Sequence, residues 1–110
     1  MRNLILIIMF MTLTFPATAQ IHELAGGWYS STGAYISVGA TQPDHTFSIL
    51  VYSSDQTKLL QQITARWDDP AENHFIYYLN GEEIGGIYYP GVQQVELANQ
   101  PGTWLATWRR

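Results

Sequence analysis

Three histidines, His22, His45 and His74, are the side chains best able to bind a metal or move a proton near neutral pH. They lie in three separate segments, without the short spacing that brings two imidazoles onto one zinc ion, and each reads as a strand-end or loop residue. Asp68-Asp69 with Glu72 and Asn73 gathers oxygens, yet it lacks the alternating carboxylates and central glycine of a calcium loop, so it reads as a solvated turn. Glu82 and Glu83 are neighbours at the start of a strand, where successive side chains diverge, and they cannot work as an acid/base pair. No serine sits in a Gly-x-Ser-x-Gly elbow, and there is no cysteine to act as nucleophile. Gly85-Gly86 precedes a strand, whereas a phosphate-cradling loop must open onto a helix. Nothing in these patterns points to an enzyme, a metal centre or a cofactor.

The elements that carry these residues are short strands. Turn signals recur at Thr32-Gly33, Thr41-Gln42-Pro43-Asp44, Ser54-Asp55-Gln56, Asp68-Asp69-Pro70, Asn80-Gly81, Pro90-Gly91 and Asn99-Gln100-Pro101-Gly102. They leave eight candidate strands near 27–31, 34–40, 46–53, 58–67, 74–79, 84–89, 92–98 and 103–109. Asn80-Gly81 is the strongest hairpin signal, because both central residues of a type I′ turn need positive φ. Connections this short join antiparallel neighbours, so the expected fold is all-β, an eight-stranded antiparallel up-and-down barrel with no free edge.

Alternation within the strands assigns faces. Ala34, Ile36 and Val38 share one side, as do Leu59, Ile63, Ala65 and Trp67. In the third strand Phe47, Ile49 and Val51 form the apolar face and turn inward, which sends Tyr52 outward unless a bulge intervenes or that face is an intersubunit surface. Tyr77-Tyr78 and Tyr88-Tyr89 are adjacent pairs, so one ring of each pair must leave the barrel interior, and outward aromatics suggest subunit contact and a homo-oligomer.

Composition narrows the partners. The chain has 110 residues and a formal charge of −4, which argues against nucleic acid and against electrostatic docking on anionic lipid. Arg2, an apolar stretch over residues 4–15, Pro16 and the small-x-small run Ala17-Thr18-Ala19 read as a signal peptide over residues 1–19. The stretch is shorter than the ~20 apolar residues of a spanning helix, and without cysteine it cannot carry a lipid anchor. The expected product is a single domain, residues 20–110, exported to the periplasm or secreted, and not held at a membrane once the leader is removed.

One longer pattern stands above background. Gly26-Gly27-Trp28-Tyr29-Ser30-Ser31-Thr32-Gly33-Ala34-Tyr35-Ile36-Ser37-Val38 resembles the first hairpin of the avidin and streptavidin family, a Gly-x-Trp-Tyr start, a glycine turn and alternating apolar residues. Tyr52-Ser53-Ser54 resembles the end of that family's third strand, Ile63-Thr64-Ala65-Arg66-Trp67-Asp68 its fourth, and Gly85-Gly86-Ile87-Tyr88 its sixth.

The resemblance implies a site in the barrel mouth for biotin or a similar small ring. Tyr52 would donate to the ureido oxygen beside Ser30, Ser54 would serve the covering loop, and Trp104 would give an aromatic wall from a partner chain. Tyr78 or Leu79 would stand where the family has another tryptophan. The resemblance also implies a barrel floor in which Trp28 stacks under Arg109 or Arg110. Ala34 and Ile84 stand where the family has a pocket serine and tryptophan, and Glu82 lies near a pocket threonine.

Two readings lead, ahead of a third in which an enzyme uses the barrel mouth. In one, an exported, non-catalytic barrel binds a small molecule, with biotin as the leading candidate. In the other, the same barrel binds a protein as an interaction module or inhibitor. A mouth lined by Ser30, Tyr52 and an aromatic wall favours the first, and a filled interior with outward aromatics favours the second.

Overall fold

The computed structural model describes residues 22–99 and 102–110, so the expected leader, residues 1–19, lies outside the described residues. Eight strands, β1 (Gly26–Ser30), β2 (Tyr35–Val38), β3 (Thr46–Tyr52), β4 (Leu59–Trp67), β5 (His74–Leu79), β6 (Glu82–Tyr89), β7 (Gln94–Asn99) and β8 (Trp104–Arg109), pair in sequence order. β8 returns to β1 and closes the barrel. Every pairing is antiparallel. The expected fold class is therefore observed. A 3₁₀ turn, Pro90–Val92, links β6 to β7.

Local chemistry sets the turns. Asn80 and Gly81 have φ of 53° and 82°, the left-handed pair that an I′ hairpin demands, and β6 starts immediately after at Glu82. In the β3–β4 turn the Asp55 carboxylate accepts from the Ser53 and Thr57 hydroxyls and from the Thr57 N–H. Those bonds, with that from Ser53 foremost, pull its pKa down to about 2.

The inward faces fill the barrel with rings. Trp28, Phe47, Trp67, Phe75, Tyr77, Tyr88 and Trp108 are all buried, together with aliphatic residues such as Ile36, Ile49, Val95 and Leu97. Phe75 is the hub, with ring centroids 5.4 Å from Phe47, 5.7 Å from Trp67, 6.0 Å from Trp108 and 6.5 Å from Tyr77. Room for it comes from the neighbouring strand. Phe75 faces Gly86 across the β5–β6 pair, and a Cβ on Gly86 would stand inside the van der Waals envelope of the Phe75 ring.

One end of the barrel is closed by Trp28. Its indole Nε1 donates to the Leu24 carbonyl at 2.8 Å. The Arg110 guanidinium lies 4.0 Å from the centre of its ring. Arg110 also donates to the carbonyls of Glu23, Ala25 and Gly27 and to the Gln93 side chain, tying the segment before β1 to the segment before β7. Between the two arginines named for the floor, the stacking residue is Arg110. Arg109 follows the inward Trp108 and is exposed, because alternation along β8 turns it outward.

Two irregularities matter for the walls. Val51 faces Gln61 while Tyr52 faces Leu59, so Leu60 is an extra residue in β4. Leu97 faces Ala106 while Ala98 faces Trp104, so Leu105 is an extra residue in β8.

The close approach of Phe75 to Gly86 gives a direct test. Gly86→Ala overpacks the hub and is expected to cost about 1–3 kcal/mol in urea denaturation. Gly91→Ala, where an added Cβ meets nothing within 4 Å, is the matched control and stays near neutral.

Candidate functional site

The space where a barrel of this size would hold a small ligand is taken by Phe75 and the rings around it. Tyr77 is the ring of this set whose hydroxyl is most affected. Burial pushes its pKa up to about 12, because the phenolate would leave water for an apolar interior.

The residues expected to meet in the mouth are divided among several surfaces. Tyr52 turns outward, as the apolar face of β3 requires, and its ring lies 6.4 Å from Tyr35, which in turn lies 5.3 Å from Tyr29. Tyr52 and Ser54 share a rim hollow of about 650 Å³ with Ala34, Val51 and Gln61. Ser30 lines a different hollow, on the β1–β8 seam, with Trp104 and Arg109. Its hydroxyl is engaged in the hairpin turn, paired with the Thr32 hydroxyl at 2.9 Å and accepting from the Thr32 N–H.

Tyr78 is on the outer wall, 64% exposed, while its neighbour Tyr77 takes the inward place. Trp104 is also on the outer wall, 58% exposed, its Nε1 donating to the Thr107 hydroxyl at 3.1 Å. Plain alternation from Ala106 would bring Trp104 inside. The extra residue Leu105 reverses its face. Within this chain, then, Ser30, Tyr52, Ser54, Tyr78 and Trp104 do not converge on one mouth site.

The histidines gather near the floor end. His22 packs against Trp67 with ring centroids 4.5 Å apart and accepts the Leu24 N–H on Nδ1. Glu72 lies between His22 and His45, at 3.7 and 3.5 Å. His74 Nδ1 is 3.1 Å from Asp68. Among the described residues no group of three or more such side chains is arranged to hold a metal ion.

A further concave surface lies on the outside, across β5 to β8. Ile76, Gly85, Ala98 and Trp104 stand side by side in register on four successive strands. A large side chain, none, a methyl and an indole make a notch two strands wide, part of a half-open groove of about 480 Å³. Ile87 borders the same groove, as do the carboxylates Glu83 and Glu96. Each carboxylate accepts from a neighbouring phenol. Tyr78 donates to Glu83 at 3.1 Å and Tyr89 to Glu96 at 3.4 Å. The bond to Glu83, with the charge of that carboxylate, holds the Tyr78 phenol above its ordinary pKa.

This groove was partly visible in the chain as the outward members of the two tyrosine pairs. Its floor was not, because Gly85 and Ala98 become neighbours only through the β6–β7 register.

The buried phenol supplies a pH test. A folded-state pKa above the unfolded value of about 10 favours folding only while the tyrosine is neutral, so its contribution is complete below pH 10 and lost as pH rises through 12. Ultraviolet titration should show the Tyr77 hydroxyl ionising near pH 12, and stability should fall across that window. Tyr77→Phe should abolish the late step and flatten the alkaline fall.

Compared with protein-family models, curated proteins and solved structures, the chain matches none, so the likeness to avidins rests on the residues quoted for it.

Proposed function

We propose that this chain is a non-catalytic binding barrel that engages a protein partner on the outer wall formed by β5 to β8. The observation that carries this reading is the division between a ring-filled interior and an outer groove lined by exposed Trp104 and Ile87, with exposed Tyr78 bonded to the Glu83 that borders it. Exposed apolar side chains beside carboxylates and phenols are the usual makings of a protein contact, with aromatic anchors inside a polar rim. The alternative, a biotin-like ring, is favoured by one feature, the rim hollow that brings Tyr52 and Ser54 together. That hollow is open, and its tyrosine belongs to the outward ladder with Tyr35, so it offers a small ring few enclosing contacts.

Site-specific photocrosslinking separates the two. A benzophenone side chain at Ala98, in the groove, should capture a discrete partner in cells of the source organism, and one at Thr64 on β4 should not. The purified partner should bind the wild-type chain and lose about tenfold or more in affinity with Trp104→Ala, the melting temperature being unchanged. Saturable calorimetric heat with biotin, weakened by Tyr52→Phe, would instead support the small-molecule reading. Absence of any partner at Ala98 would overturn the outer-wall reading.

A further inference from the structure

The outer groove has a chemical polarity of its own. Apart from the Trp104 indole and the Asn99 amide, whose N–H groups donate to Thr107 and Glu82, its assigned side-chain groups are acceptors. Glu83 and Glu96 are carboxylates, and neither is ion-paired among the described residues. The His74 ring lies over Gly85, with Nε2 3.2 Å from where a Cβ would stand. Its Nδ1 faces the Asp68 carboxylate, which can only accept, so in the neutral ring the proton sits on Nδ1 and Nε2 offers a lone pair to the groove. Asn99 has a donor hydrogen committed to Glu82 and its carbonyl committed to the Thr103 N–H. No lysine or arginine lines the groove. A ligand that satisfies this surface must bring donors and positive charge.

Spacing makes the requirement more specific. Glu96 is in register with Ile87, four residues along β6 from Glu83, which places the carboxylates about 13 Å apart along the strand direction. In an extended chain, side chains on one face recur every second residue, so residues i and i+4 span the same distance. Residue i+2 then falls midway, over the notch at Gly85 and Ala98 and beside the Trp104 indole. Each carboxylate carries its own exposed phenol, Tyr78 or Tyr89, and an aromatic ring beside a carboxylate suits a guanidinium by both ion pairing and cation–π contact.

We infer that the groove is a docking site for an extended segment of a basic protein. Basic side chains at positions i and i+4 meet Glu83 and Glu96, and an apolar side chain at i+2 enters the notch beside Trp104. The inference rests on the outer-wall reading above and gives the chemistry of the partner.

The probe is a capped pentapeptide of arginine, threonine, leucine, threonine and arginine, titrated into the isotope-labelled full chain. Binding is followed at the Trp104 indole N–H by nuclear magnetic resonance. A saturable shift is expected, weakened about tenfold or more by combined Glu83→Gln and Glu96→Gln. It should weaken with added salt and with citrulline, the neutral isostere, in place of arginine. A charge-matched control, Glu23→Gln with Asp44→Asn, should leave binding intact. Equal binding by the citrulline peptide or by the glutamine variant would overturn the charge requirement and leave the outer wall as an apolar contact. No shift at millimolar peptide would overturn the inference, as would sedimentation showing that a second copy of the chain covers Trp104. Failure of the outer-wall reading is seen separately, as loss of the Ala98 crosslink.

Discussion

The ring of Phe75 set against the bare backbone of Gly86 is the contact on which the rest of the barrel depends. Eight strands enclose a space that side chains can just fill, and this chain fills it with aromatic rings that meet one hub, two edge to face and two stacked. A chain of this size without disulfides has few other sources of stability, so dense aromatic packing substitutes for a larger core. The same packing decides where function can reside. Phe75, Tyr77 and Trp108 occupy the lumen, which leaves the outer faces of the strands, where the alternate residues stand, as the surface open to a partner.

How far the fold and the site were legible follows from what strand alternation can and cannot express. The strand order, the Asn80-Gly81 hairpin and the inward faces of β2 and β3 follow from period two and turn chemistry alone, and Tyr52 points where the apolar face of β3 requires. Trp104 was not legible, because one extra residue, Leu105, turns its side chain to the opposite face without leaving a mark in the pattern of apolar residues. The choice between Arg109 and Arg110 over Trp28 was open for a related reason. Only once β8 is registered against β7 does Arg109 fall on the outer face, leaving Arg110 free to fold over the end of the barrel.

The resemblance to the avidin hairpin illustrates the difference between a motif and a site. Ser30 follows Trp28 and Tyr29 as the pattern suggests, yet its hydroxyl is engaged in its own turn with Thr32. The polar atoms of the outer groove come from four strands and depend on register, which no local motif encodes. Tyr78 and Tyr89 are two cases of one device, a phenol that fixes a carboxylate on the strand beside it. Their likeness emerges only when β5, β6 and β7 lie side by side.

Closure of the barrel has a kinetic side. Every strand pairing but that of β8 with β1 joins neighbours in the sequence. That last seam registers Tyr29 with Arg109 and Ser30 with Trp108, the Ser31 N–H donates to the Thr107 carbonyl beyond them, and Arg110 reinforces it from the floor. The hairpins can form locally and early, whereas the seam must bring together segments separated by nearly the whole domain, and the entropy of closing so long a loop is met only at the end. Closure at the seam therefore comes late, and exchange of β8 between two copies is a misassembly open to this topology.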